Sequence, residues 1–399
     1  MKTSPVYGLT ALGIINALGN SREQVLENLL VGHSPGMVQR SEWIPEQTVW
    51  VGEVQGSLPE LPLSQQQFNS RNNRLLLAAL EQIREEVDEL IVQFGRERIA
   101  LVIGSSTSGI LEGERALAQA GENGTAPADY DYRQQEIGAP GVFLADYLGL
   151  NGIAYTLSTA CSSSAKVFSS ARNLLQLDIC DAVIVGGVDS LCKLTLNGFT
   201  ALSSVSSGRC NPFSANRDGI SIGEGAALFI MQKQAAELNL LGVGESSDAH
   251  HISAPHPEGE GAIAAMQAAL ADAGLAAEQI SYLNLHGTAT IKNDEMESIA
   301  VDSVLGKQLP CSSTKRLTGH TLGAAGATEI GLCWLLMSRL NCDAVLPKQQ
   351  WDGCVDGQLV PINLLRTDQR LASTEAKKMM SNSFAFGGSN ACVVIGEAG

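Results

Sequence analysis

Short apolar runs closed by glycine or small polar residues alternate along this chain with stretches whose apolar positions recur every three or four residues. Arg98–Gly104 (RIALVIG) and Cys180–Gly187 (CDAVIVGG) are apolar almost throughout, as strands buried on both faces of a parallel sheet are. Ala154–Leu157 predicts a third short buried strand, and from Ser162 onward Ala165, Phe168, Ala171 and Leu175 recur at helical spacing. Ser21 reads as the cap of a helix over REQVLENLLVG. Ser70–Phe94 predicts one long helix with Leu75, Ala79, Ile83, Val87, Leu90 and Ile91 on one side. Further helices are predicted at 110–120 and 141–150, a strand and loop over 1–20, and an irregular excursion over 34–65 with short strands around 48–54. The alternation argues for an α/β fold with mostly parallel strands.

The second half of the chain repeats the first. ISYLNLH (280–286) echoes IALVIGS, and FAFGGSNACVVIGEA echoes GISIGEGAALFIMQK as a glycine-rich turn entering a terminal strand. Cys342-Asp343-Ala344-Val345 follows a small-residue helix, as Cys180-Asp181-Ala182-Val183 does. A junction is expected between Leu240 and Ser247, giving halves 1–242 and 243–399.

Charge and cysteine content narrow the function. A formal charge of -16 without a basic run argues against a nucleic-acid partner, which needs cations to displace its counterions. Nine cysteines without CxxC pairs, and an isolated His250-His251 pair, point to a reducing compartment and no structural metal. No apolar run approaches membrane-spanning length, and the glycine-broken N-terminus carries no cleavable leader, so a cytoplasmic protein without membrane insertion is expected.

The candidate chemistry starts at Thr159-Ala160-Cys161-Ser162-Ser163-Ser164. Here a strand turns into a helix, and the unpaired N–H groups of the helix start favour a thiolate and can hold an oxyanion. Two histidines stand in comparable settings. His286 ends the strand 280–286, and His320 lies on a glycine-flanked loop before a helix of small residues.

TACSSS, HGTAT followed by Asn293-Asp294 and Glu297, STKRLTGHTLGAAGATE and NSFAFGGSNA occur in that order, with NRDGISIGEGA and SSDAHHISAPHPEGEGA between them. In these motifs the sequence resembles the β-ketoacyl-acyl-carrier-protein synthases, specifically the branch with a Cys-His-His triad, over nearly its whole length. The resemblance implies the duplicated α/β/α/β/α five-layer fold of the thiolase superfamily, with the site where the halves meet. It implies that Cys161 takes an acyl chain from a carrier-protein thioester, with the Cys161 and Phe386 N–H groups holding the oxyanion. Gly387 would let the backbone approach, and Phe386 would gate the acyl pocket. His286 and His320 would stabilise the enolate left when malonyl carrier protein loses carbon dioxide, so carboxylates should stay out of contact with it. Lys315 would orient the second histidine, Glu329 would pair with Lys315, and Glu297 would belong to the same network. Thr288 and Thr290 would hold the phosphopantetheine arm, which arrives on the acyl carrier protein; no metal or other cofactor is implied. The family assembles as dimers, here a homodimer or a heterodimer with a related ketosynthase-like subunit.

Two other readings fit less well. A non-catalytic partner subunit lacks the nucleophile, whereas Cys161, His286 and His320 are all present. A degradative thiolase needs a second reactive cysteine, and Cys392 reads as a core residue. Small polar residues in SSTSG (105–109), with Ala385 and Ser389 in place of the usual glycine and threonine, predict an acyl preference unlike that of housekeeping synthesis, toward a polyene-like chain. Arg71 and Arg74, with Arg209, are the expected docking patch for an acidic carrier. No base is expected beside Cys161.

Overall fold

In the computed structural model, which describes residues 6–121, 124–371 and 376–397, the apolar runs become strands of one large sheet. Residues 1–5 of the expected N-terminal segment, and residues 122–123, lie outside the described residues. The first half runs β1 (Tyr7–Asn16), α1 (Arg22–Val31), β2 (Met37–Ile44), β3 (Gln47–Gly52), α2 (Arg71–Glu81), α3 (Arg84–Phe94), β4 (Ile99–Gly104) and α4 (Ile110–Ala120). It continues through α5 (Ala139–Leu148), β5 (Ala154–Leu157), α6 (Ser163–Gln176), β6 (Ala182–Asp189), α7 (Lys193–Ala201), β7 (Ile222–Gly223) and β8 (Gly225–Gln232). The second half holds β9 (Leu238–Ser247), α8 (Glu260–Ala273), β10 (Tyr282–Asn284), α9 (Ile291–Leu305) and β11 (Cys311–Ser312). It ends with α10 (Lys315–Thr318), α11 (Ala325–Met337), β12 (Lys378–Phe384) and β13 (Ser389–Glu397).

The sheet order is β11-β10-β12-β13-β9-β1-β8-β6-β4-β5. Outward from the short β1–β9 seam, where Tyr7 pairs with Leu240, both halves follow one plan: two antiparallel joins, then two parallel ones. The duplication is therefore in the hydrogen bonding itself. It also corrects the proposed repeat at 342–345, which is a turn; the strand equivalent to β6 is β12. The boundary expected at 242/243 falls inside β9, and the break lies in the connection 233–237.

Helices α6 and α11 fill the middle layer, packing Phe168, Leu335 and their neighbours against Leu12, Phe229 and Val393 of both half-sheets. α2 and α5 cover one outer face through Leu76 and Phe143, and α8 covers the other through Met266 and Ala269. Each half-sheet is thus buried on both faces, which is why its strands are apolar at successive positions. Each large side chain so buried contributes roughly 1.5–3 kcal/mol. Gly187 lets α6 settle on the sheet, since a Cβ there would stand 2.4 Å from that of Ser164.

Two local expectations change. The helix expected over 70–94 breaks at Gln82–Ile83, where Ile83 leaves helical geometry and the Gln82 amide bonds both backbone groups of Ile14. β5 is half-buried and not buried, because it is the outermost strand and has no neighbour on its free edge. The 34–65 region is more regular than expected: β2 and β3 form a hairpin that β7 joins.

Candidate functional site: a thiol facing two imidazoles

Cys161 occupies the turn between β5 and α6, and its predecessor Ala160 is held at φ +53°. The serines that follow build this turn. Ser163 Oγ donates to the Ala160 carbonyl at 2.6 Å and accepts from the Thr159 N–H at 2.8 Å, while Ser162 Oγ donates to the Thr159 carbonyl. The result is a thiol 5% exposed at a helix start, beneath the turn that carries Phe386.

His320 reaches the same sulfur from the other half. Its Nε2 lies 3.0 Å from Cys161 Sγ, and its backbone is fixed by bonds to Ser221 and Gly223 beside β7. The NRDGISIGEG stretch thus supports the histidine loop. His286, at the end of β10, presents its ring edge-on to His320 with centroids 5.4 Å apart. Glu297 holds the His286 loop by accepting the His286 and Gly287 N–H groups, both at 2.7 Å. Asn382 adds a third donor at 3.1 Å.

Lys315 is 1% exposed, ion-paired with Glu329 of α11, and its Nζ stands 3.4 Å from Nδ1 of His286. The expected pairing with Glu329 is there, but the lysine faces the first histidine and not the second. His320 Nδ1 has no hydrogen-bond partner among the described residues. A donation from Lys315 to His286 Nδ1 leaves that ring's hydrogen on Nε2.

Burial decides the charge states. It pushes the Cys161 thiol up to about 11, against the Lys315 charge and the Phe386 N–H, which both favour the thiolate; Asp189 works the other way. Burial, then Lys315 and His320, hold His286 well below the ordinary imidazole range, and burial with Lys315 does the same to His320. The backbone N–H groups do favour the thiolate, as expected of the helix start, but desolvation outweighs them and leaves the neutral thiol the preferred form. The expectation of no base beside Cys161 is corrected, since a neutral imidazole stands at hydrogen-bond distance.

The cleft above the sulfur is lined by Thr288 and Thr290, whose hydroxyl oxygens are 3.0 Å apart, and by the Phe384–Phe386 turn. Phe386 packs on Phe199 at 5.6 Å, and Gly387, at φ +86°, donates its N–H to the Ile252 carbonyl. Glu297 and Glu329 lie behind the histidines and do not line the cleft; Asp248 does line it, beside the Gly388 turn. Sequence reasoning missed Asp248, Phe199 and Asn390 as lining residues; the first and last sit within motifs it quoted.

Other expected residues lie elsewhere. Arg71 pairs with buried Glu224, Arg74 with Glu60 and the carbonyls of Leu58 and Pro59, and Arg209 with the Arg316 carbonyl and the face of Trp50. These arginines are engaged by their own chain, so the docking patch built on them is withdrawn. Cys392 is fully buried, its thiol donating to Asn382 Oδ1, away from the cleft. Among the described residues no cluster of three His, Cys, Asp or Glu side chains could hold a metal, and no helix is long and apolar enough to cross a membrane.

Sequence models of the β-ketoacyl synthase N-terminal and C-terminal domains match residues 9–236 and 238–347. The chain belongs to the β-ketoacyl synthase family. It is 31% identical over 410 residues to a 3-oxoacyl-[acyl-carrier-protein] synthase 2 of Staphylococcus aureus, covering 97% of this chain and 100% of that protein. The corresponding Coxiella burnetii protein is 29% identical, with 97% of each covered. Among solved structures, a chain of the complex between a ketosynthase (ApeO) and its chain length factor (ApeC) from Xenorhabdus doucetiae superposes with a TM-score of 0.94 at 48% identity, covering 100% and 99% of the two chains. A β-ketoacyl synthase from Burkholderia phymatum gives 0.85 at 26% identity, covering 99% and 100%. This β-ketoacyl synthase has the thiolase-like fold of its neighbours and is an acyltransferase of the condensing type.

Proposed function

We propose that this chain elongates an acyl group held on Cys161 by decarboxylative Claisen condensation with malonyl carrier protein. The observation that carries this is the placement of His320 Nε2 and the Phe386 N–H on one sulfur, with the His286 ring alongside.

In the first half-reaction the thiol gives its proton to His320 as sulfur attacks the incoming thioester, and that proton passes to the departing pantetheine sulfur. The Cys161 and Phe386 N–H groups hold the tetrahedral oxyanion. In the second, malonyl carrier protein loses carbon dioxide while His286 and His320, the latter now in its Nε2–H tautomer, donate to its thioester oxygen, which takes up the negative charge of the enolate. The enolate carbon then attacks the Cys161 thioester and expels the thiolate, which regains a proton from solvent, yielding a β-ketoacyl product two carbons longer. Lys315 orients His286 and Glu329 balances its charge. Thr288 and Thr290 hold the phosphopantetheine arm, delivered by the carrier, so no resident cofactor takes part.

The complex that ApeO forms with its chain length factor favours specialised biosynthesis with a related subunit as partner, with fatty-acid synthesis by a homodimer as the alternative; the polyene-like preference rests on residues 105–109, Ala385 and Ser389. The open edge of β5 supports either, because a second subunit would cover its unpaired backbone groups. A cytoplasmic setting fits the carrier substrate.

The test incubates the protein, alone and co-expressed with a chain-length-factor-like subunit, with malonyl carrier protein and a panel of acyl carriers. Elongated β-ketoacyl carriers that disappear in Cys161→Ser support the reading. Normal acyl-enzyme formation in Cys161→Ser, seen by intact mass spectrometry, would sink it.

A further inference from the structure

Behind the nucleophile lies a carboxylate that the mechanism does not use. Asp189 ends β6 at zero exposure. Its Oδ1 accepts four hydrogen bonds, from the Ser105 hydroxyl (2.8 Å), the Ser106 N–H (2.8 Å), and the N–H and hydroxyl of Thr107 (2.7 and 2.8 Å). Its Oδ2 accepts the Ala324 N–H at 3.1 Å. Burial raises the pKa of this carboxyl above the ordinary carboxylate value, but its five donors work against that and replace the water it has lost, and no cation among the described residues touches it, so the cradle is arranged to bear charge.

Both ends of this cradle reach the reacting groups. Ser106 Oγ donates to the carbonyl of Ala160 at 3.1 Å, fixing the left-handed residue next to Cys161. Ala324 belongs to the turn that follows His320 by four residues. One side chain therefore ties the nucleophile's turn, contributed by the first half, to the histidine loop of the second.

We propose that Asp189 is a positioning residue, an ionised buried carboxylate that locks the turn of Cys161 to the turn after His320 and sets a fixed negative charge behind the thiol. The inference rests on the reading of Cys161 and His320 as the reacting pair. The charge opposes thiolate formation in the empty site, as does burial, while Lys315 and the Phe386 N–H favour the thiolate. Proton removal from the thiol is then left to the moment when His320 and substrate are both in place.

The test alkylates Cys161 with iodoacetamide across pH, followed by intact mass, in the wild type, Asp189→Asn and Ser106→Ala. Asparagine keeps an acceptor for residues 105–107 and removes the charge. The alkylation midpoint should fall by about one pH unit, and elongation should drop at least about tenfold with KM for the acyl carrier unchanged. Ser106→Ala keeps the charge, so its midpoint should stay while its elongation rate falls. An unchanged midpoint in folded Asp189→Asn overturns the proposal. If that variant does not fold, wild-type elongation by Ser106→Ala overturns it instead. Alkylation needs no carrier substrate, so a shifted midpoint in a protein that never elongates would count against the ketosynthase reading and not against Asp189.

Discussion

Nε2 of His320 and Sγ of Cys161 stand 3.0 Å apart, and both groups are buried. With the thiol raised to about 11 and the imidazole held below its ordinary range, the pair rests uncharged. His286 meets His320 through its ring and is bonded to Lys315, not to the sulfur. The two histidines should therefore separate kinetically.

His286→Ala and His320→Ala should both lose carbon dioxide release from malonyl carrier protein. Acyl transfer to Cys161 should distinguish them. His320→Ala should slow it at least about tenfold at neutral pH, with recovery as the pH is raised, because hydroxide replaces the missing proton acceptor. His286→Ala should stay within about threefold of wild type. Stopped acylation assays read by intact mass decide this, and equal slowing in both variants would remove the assigned division of labour.

Lys315 and Glu329 form an ion pair through Glu329 Oε1 in which both side chains are almost fully buried, and Glu329 Oε2 has no hydrogen-bond partner among the described residues. Lys315→Ala strands that carboxylate, at a cost of about 3–5 kcal/mol in chemical denaturation. Lys315→Met combined with Glu329→Leu removes both charges and should recover most of the stability, since desolvation nearly cancels the attraction of such pairs. Neither variant should release carbon dioxide. Recovered stability without recovered activity assigns the lysine to His286 and not merely to the fold.

Much of this architecture is legible in the chain because strands buried on both faces read as continuous apolar runs, and because the duplication repeats their order. Cys161 is legible for a local reason: strand, turn and helix are contiguous there. What escaped depends on distant partners. The apolar spacing from Leu75 to Leu90 continues across Gln82, and only the bond to Ile14 breaks the helix. The match at 342–345 is four residues without a strand, whereas β12 carries Asn382 toward Glu297 and is interrupted by the polar Ser381, Asn382 and Ser383, so it lacks the apolar run that would have identified it. Arg71 looks like a free surface charge until Glu224 is found beside it. Asp189 offers no signal at all, since its donors come from the loop after β4 and the turn after His320.

Two carboxylic acids near His286 make stability depend on pH. Burial, with Asp294 as a neighbour, raises Glu297 to about 7, and burial raises Asp294 to about 6, in both cases against the hydrogen bonds they accept. A folded-state value above the unfolded one means that the native chain binds more protons in the interval between them. The associated stability is complete below the unfolded values and is lost as pH rises through 6 and 7. Between mildly acidic and mildly alkaline buffer the loss should be on the order of 3 kcal/mol, seen as a lower urea midpoint. Glu297→Gln should flatten part of that slope. A midpoint that stays flat over this range would show both groups ionised throughout.

The Phe386 N–H reaches Cys161 only because the next two residues adopt left-handed backbone, at φ +86° and +84°. The two glycines are not equivalent. A Cβ on Gly387 meets nothing within 4 Å, so Gly387→Ala faces only the backbone preference, a cost of about 1–2 kcal/mol. On Gly388 it would stand 1.9 Å from the Asp248 carbonyl oxygen, which accepts no such approach without moving the turn. Gly388→Ala should therefore withdraw the Phe386 donor from the oxyanion and cut acyl transfer by about 100-fold or more. Gly387→Ala should keep the donor in place and lose stability instead, with acyl transfer within about tenfold of wild type. Parallel melting and acyl-transfer measurements on the two variants check the contrast, and equal loss of transfer in both would mean that the turn, not the Asp248 contact, positions the donor.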